Sequence, residues 1–245
     1  MQNKLHGKRI CFLGDSITEG FAVNIGQRYF DLLAQRHGFE AYGYGVCGAR
    51  FDGLYAQAKK MYEQHKENVD IIFVFAGTND YNGSTPMGEW FCYYDTKVTR
   101  TKNADGSPKL IENRMKREPL TAPNTYKGAI NRLMLFLKEH YGDKRIILLT
   151  PLHRAFATFG NDNIQYDESY SNNQMLFIDD YVNVIKEAAG LYSCELIDLF
   201  AESGIYPLSD LSAKAFLANV ESDRLHPNAA GHSRIADVIE RYLNI

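Results

Sequence analysis

Lys8-Arg9-Ile10-Cys11-Phe12-Leu13-Gly14-Asp15-Ser16-Ile17-Thr18-Glu19-Gly20 is a short apolar run closed by a glycine and followed at once by residues suited to starting a helix. It reads as a strand that turns into a helix at Ser16. Four further runs share the character of its first half: Phe39 to Val46, Asp70 to Ala76, Lys144 to Thr150 and Cys194 to Leu199. Each is rich in Ile, Val, Phe or Tyr and bounded by Gly, Asp or Pro, and with Lys8 to Leu13 they make five expected strands. The stretches between them carry helical stripes: Tyr126, Ile130, Leu133 and Leu137; Met175, Ile178, Val182, Ile185 and Ala189; and Ile235, Val238, Ile239 and Tyr242. Strands alternating with amphipathic helices predict a doubly wound α/β fold, because each crossover must return over a face of a parallel sheet. Ligands bind such sheets at the carboxyl ends of the strands, so the loops after Leu13, Val46, Ala76 and Thr150 are the places to search.

Bulk properties agree with one packed domain over residues 1–245. Hydrophobic residues make up 45% of the chain and charged residues 23%, which excludes disorder and coiled coil. The 27 Lys and Arg against 30 Asp and Glu leave a net charge of −3, so a nucleic-acid partner is not expected. The longest apolar run, Ile71 to Ala76, is far short of the ~18 residues that span a bilayer, so no membrane partner is expected either. The polar stretch from Met1 to Arg9 lacks the apolar centre of a leader peptide, which predicts a cytoplasmic chain. Cys11, Cys47, Cys92 and Cys194 form no CxxC pair and read as buried free thiols. The histidines show no HExxH or paired ligand spacing, so no metal is expected, and most of them read as surface residues. One segment breaks the alternation: Trp90 to Pro119 is too long for an ordinary connection and is basic, with a net charge of +4 over residues 97–118. Asn103-Ala104-Asp105-Gly106 within it has turn character, so an inserted two-stranded hairpin is expected at about 90–119, as a solvated arm, a lid or a dimer contact.

Four short blocks carry chemistry. Ser16 stands where a strand meets a helix, a position that exposes a hydroxyl for nucleophilic attack and that helix-capping serines also occupy. Asp223-Arg224-Leu225-His226-Pro227 spaces a carboxylate three residues from an imidazole. In a tight loop Asp223 could then hold Nδ1–H of His226 and leave Nε2 as a base, with Pro227 opening the following helix. Gly77-Thr78-Asn79-Asp80 puts a non-titrating amide donor, Asn79, after a third strand, and Gly48 offers an N–H that a ligand oxygen can approach closely. Each block alone has an ordinary turn or cap reading; their order along the chain is harder to obtain by accident.

On these four blocks the chain resembles the SGNH, or GDSL, hydrolase family of esterases and acylhydrolases. The resemblance implies a flavodoxin-like three-layer α/β/α sandwich with a five-stranded parallel sheet. It also implies Ser16 as nucleophile, His226 as base then acid, Asp223 orienting it, and an oxyanion hole made of the Ser16 N–H, the Gly48 N–H and the Asn79 amide. No cofactor is implied. Asp15, Arg50 and His153 are the expected substrate-binding residues; Arg50, two residues past Gly48, departs from the small residues common there. The expected activity is hydrolysis of short acyl esters, acetyl above all, of a carbohydrate or similar polar alcohol, through an acyl-enzyme. Lysophospholipase or thioesterase action would use the same residues. A competing pattern is Gly43-Tyr44-Gly45-Val46-Cys47-Gly48, a literal GxGxxG with Glu63 twenty residues past its first glycine. It follows the second strand and not the first, and a dinucleotide site there would leave Asn79, Asp223 and His226 without a task.

Overall fold

The computed structural model describes residues 4–160 and 162–243; the side chains of residues 97–101 and 110–113 lie outside the description. The elements run β1 (Arg9–Gly14), α1 (Ser16–Glu19), α2 (Tyr29–His37), β2 (Glu40–Gly43), α3 (Phe51–His65), β3 (Ile71–Phe75) and α4 (Thr78–Asn82). There follow β4 (Phe91–Lys102), β5 (Pro108–Pro119), α5 (Tyr126–Tyr141), β6 (Arg145–Leu149), β7 (Ala157–Phe159), β8 (Asn163–Gln165), α6 (Ile178–Leu191) and β9 (Glu195–Ile197). The chain closes with α7 (Leu199–Glu202), α8 (Asp210–Phe216), β10 (Leu217–Asn219), β11 (Asp223–Pro227) and α9 (Ala229–Tyr242).

All five expected strands form one parallel sheet in the order β2-β1-β3-β6-β9. Period-two alternation divides their side chains between two cores. Cys11, Leu13, Ile72 and Val74 pack under α3, α5 and α6 against Leu54, Met61, Leu133 and Ile185. Phe12 and Phe73 pack on the other face with Phe30 of α2 and Ile235 and Ile239 of α9. There the Phe12 ring stacks on Phe73 at 4.9 Å and on Phe30 at 4.8 Å between centroids. The result is a three-layer α/β/α sandwich. Of the expected helical stripes only Met175 falls outside a helix; it precedes α6, is 79% exposed and has a left-handed backbone.

The insertion is the expected hairpin, β4 paired antiparallel with β5 as a separate two-stranded sheet. Its base is tied to α5, where the Asn131 amide donates to the carbonyls of Trp90 and Leu120. A second small sheet, β10-β11-β7-β8, was not expected, and it stands at the carboxyl edge of the parallel sheet beside Ser16. The cysteine and histidine expectations need correction. Only Cys11 of the four free thiols is buried, while Cys47 and Cys92 are exposed. His37 and His232 are buried as well as His226, and Nδ1 of His232 accepts the Tyr29 N–H at 3.2 Å. Among the described residues no helix is long and apolar enough to cross a membrane.

Candidate active site

Ser16 is held at the end of β1 by its neighbour. Asp15, not Ser16, caps α1, its carboxylate accepting from the Ile17 N–H at 3.0 Å, which leaves the Ser16 hydroxyl free of helix duty. Burial pushes the Asp15 carboxyl up to about 6, against the pull of the Ile17 N–H and of His226. Asp15 therefore belongs to the scaffold under the serine, a correction to its expected place on the substrate.

Asp223 and His226 arrive on a strand rather than in the expected loop. β11 pairs with β10 and, at Asp223, with Ala157 of β7. Asp223 Oδ1 accepts the backbone N–H groups of Leu225 at 3.1 Å and His226 at 3.0 Å. With the carboxylate so fixed, Oδ2 lies 2.9 Å from His226 Nδ1, and His226 Nε2 lies 2.9 Å from Ser16 Oγ. All three residues are at most 6% exposed. A carboxylate only accepts, so the proton of a neutral imidazole sits on Nδ1 and Nε2 is left to take the serine proton. Pro227 ends the strand instead of opening α9, whose cap is Asn228, its side chain accepting from the Gly231 N–H.

Gly48 and Asn79 come from the carboxyl ends of β2 and β3. Past β2 the chain keeps bonding to β1, Tyr44 N–H to Phe12 O and Val46 N–H to Gly14 O, which carries Gly48 alongside Ser16. A side chain at Gly45 would stand 2.4 Å from the Glu19 nitrogen and 2.8 Å from the Asp15 carbonyl oxygen, so only glycine lets this segment close on α1. Gly48 has φ +74 and open space around it. The GxGxxG pattern thus has a packing reason beside the serine turn. One Asn79 N–H donates to Ala49 O at 3.0 Å, and the buried Asp80 carboxyl accepts from Phe51 N–H at 3.0 Å, so α4 grips the segment just past Gly48 at two points.

These groups open on a cavity of about 300 Å³ lined by Ser16, Gly48, Asn79 and His226, with Phe21 and Phe159 as apolar walls. The Phe21 ring lies 4.3 Å and the Phe159 ring 5.6 Å from that of His226. Asn163 and Gln165 of β8 complete one side. The remaining expected substrate residues lie outside the lining. Arg50 precedes α3 and is turned to Asp52 at the surface, at 3.4 Å. His153 is stacked on Phe200 and bonded through Nδ1 to Glu168 at 2.7 Å. Among the described residues no hairpin side chain lines the cavity.

Two residues that sequence reasoning left unused hold the site together. Arg154 is 1% exposed; its guanidinium donates to Thr78 O and Oγ1 and to Gln165 Oε1, joining the turn before Asn79 to the β8 wall. Burial lowers it to about 10, so it remains charged at neutral pH. An arginine in an irregular connection leaves no sequence signal. Asp80 does close the Gly77-Thr78-Asn79-Asp80 block, and burial pushes its carboxyl up to about 8 from 3.8. Between those values the folded chain holds a proton that the unfolded chain has lost. Stability contributed by Asp80 therefore falls as pH rises towards 8, by at most about 1.4 kcal/mol per pH unit. Asp80→Asn keeps an acceptor for the Phe51 N–H and removes the titration. Urea unfolding of both proteins at about pH 6 and about pH 9 should show the variant gaining on the parent at the higher pH, whereas a pH-independent difference would mean that Asp80 titrates normally.

Among the described residues no group of three or more His, Cys, Asp or Glu is placed to hold a metal ion. The model of the GDSL-like lipase/acylhydrolase family matches residues 12–234. Several solved structures share the fold. A protein from Lactobacillus plantarum is 22% identical with a TM-score of 0.72, over 98% of this chain and 97% of that one. A possible lipase from Chitinophaga pinensis is 17% identical with a TM-score of 0.68, over 96% and 97%. A variant of an acetyl xylan esterase from Geobacillus stearothermophilus is 18% identical with a TM-score of 0.57, over 98% and 95%. A search of curated proteins returns no match. With the match running from β1 into α9, the chain belongs to the GDSL-like lipase/acylhydrolase family and is a carboxylic ester hydrolase.

Proposed function

We propose that the protein is a serine esterase that removes short acyl groups, acetyl above all, from a carbohydrate or similar polar alcohol. The observation that carries the mechanism is the unbroken line from Asp223 through His226 to Ser16 Oγ, both links at 2.9 Å. In this mechanism His226 Nε2 takes the Ser16 proton as Oγ attacks the ester carbonyl, and Asp223 steadies the imidazolium that forms. The developing oxyanion is met by the N–H groups of Ser16 and Gly48, which donate to no acceptor among the described residues, and by the Asn79 N–H not used on Ala49. His226 returns its proton to the leaving alcohol, then activates a water that frees Ser16 from the acyl group. No step requires a cofactor.

The preference for a small acyl group rests on the cavity, whose Phe21 and Phe159 walls flank His226 closely within about 300 Å³. An acetyl xylan esterase among the proteins of like fold agrees with this preference without assigning the substrate. A panel of p-nitrophenyl esters from acetate to palmitate, followed by O-acetylated sugars, tests it. The reading requires kcat/KM to fall steeply beyond butyrate and acetate to be released from the sugars. Equal or better turnover of long acyl chains would replace it with a lipase or lysophospholipase reading.

A further inference from the structure

The cavity at Ser16 has a neighbour. Residues alternate across β8: Asn163 and Gln165 line the Ser16 cavity, whereas Ile164 and Tyr166 line a second cleft of about 170 Å³. α4 is shared in the same way, Asn79 facing the first space and Asn82, one helical turn on, the second. A three-residue strand and one turn of helix are thus the common wall of the two spaces.

The lining of this cleft has a specific chemical character. Among the described residues it includes no Lys, Arg, Asp or Glu; apart from Ile164 its groups are carboxamides, hydroxyls and aromatic rings. The side chains of Asn82, Asn173 and Ser171 have no hydrogen-bond partner among the described residues, and the Tyr166 ring is 68% exposed. Tyr170, 59% exposed, stands beside it with ring centroids 6.0 Å apart. The frame behind these groups is already fixed. Tyr81 Oη donates to the carbonyls of Asp167 and Tyr170, and the Asn172 amide donates to Tyr81 O and Tyr181 Oη. Binding there would cost little ordering.

A phosphate or carboxylate ligand calls for cations or clustered N–H donors, which the lining does not supply, and a long acyl chain calls for an apolar trough. Free amides and hydroxyls beside an exposed tyrosine face suit a neutral polyhydroxyl ring, with its hydroxyls on the polar groups and its C–H face on the aromatic one. We infer that this cleft is a subsite for a neutral saccharide unit next to the one whose ester lies at Ser16, an inference that rests on the carbohydrate-ester reading above.

The test uses Tyr166→Ala and the double variant Asn82→Ala/Asn173→Ala, none of them in the catalytic line. Steady-state kinetics with p-nitrophenyl acetate, an O-acetylated monosaccharide and an O-acetylated trisaccharide of xylose or glucose separate the possibilities. Turnover of p-nitrophenyl acetate and of the monosaccharide should be unchanged in both variants. Turnover of the trisaccharide should fall about tenfold in kcat/KM, mainly through KM. Equal losses on all three substrates, or no loss on the trisaccharide, would overturn the subsite. A second measurement does not need turnover: calorimetric titration of Ser16→Ala with the unacetylated trisaccharide should show binding that Tyr166→Ala, added to it, removes. If p-nitrophenyl acetate is cleaved but no acetylated sugar is, the carbohydrate-ester reading fails, and the titration still decides the cleft: binding lost with Tyr166 supports it, and absence of binding overturns it.

Discussion

Ser16→Ala should lower kcat for any ester substrate by a factor on the order of 10⁶ while leaving the fold intact. The size follows from the loss of covalent catalysis: without Oγ no acyl-enzyme forms, and a correctly placed histidine has nothing to activate. The harmlessness to folding follows from the surroundings. Among the described residues the only hydrogen bond of Ser16 Oγ is the 2.9 Å contact with His226 Nε2, and the α1 cap is supplied by Asp15. Thermal unfolding should therefore move by no more than a few degrees. Loss of activity together with loss of the folded baseline would not count in favour of the assignment.

Asp223→Asn should lower kcat by about 10⁴-fold with little change in KM, through the tautomer of His226. Asp223 Oδ1 holds the Leu225 and His226 N–H groups, so the asparagine oxygen takes that place and its NH₂ falls where Oδ2 lies, 2.9 Å from Nδ1. Two donors cannot share that contact, so the imidazole moves its proton to Nε2 and can no longer accept from Ser16. The backbone anchors that the asparagine oxygen retains keep β11 in register, which separates this effect from misfolding. Kinetics of the folded variant decide it: a loss below tenfold would mean that Asp223 is a turn residue for β11 and no more.

Much of this arrangement could be read from the sequence, for identifiable reasons. The inner strands β1, β3 and β6 are near-continuous apolar runs such as Ile71 to Phe75, buried on both faces, so composition alone marks them. Ser16 and Asn79 stand just past such strands, and a strand end can be located without knowing any side-chain direction; Gly48 follows the partly exposed edge strand β2. The second sheet could not be read in this way. Asn163–Gln165 and Leu217–Asn219 have three residues each and no apolar alternation, and what makes them strands is pairing with distant segments. That sheet is why Asp223 and His226 lie on a strand and not in a loop. The substrate residues fared worst, because sequence position does not give side-chain direction: Asp15 turns inward to cap α1, Arg50 turns to Asp52, and His153 turns to Glu168 and Phe200. Arg154 lies in an irregular connection where only the folded chain makes a buried guanidinium necessary.

The central claim is that Ser16 is the nucleophile of an ester hydrolase, and covalent labelling tests it most directly. The folded, ester-cleaving protein is treated with a fluorophosphonate, its intact mass is measured, and the labelled peptide is sequenced by tandem mass spectrometry. The account predicts a single adduct on Ser16, formed in step with loss of activity and absent from Ser16→Ala. An active enzyme that stays unlabelled, or that carries the adduct on another residue while Ser16 remains free, would contradict it.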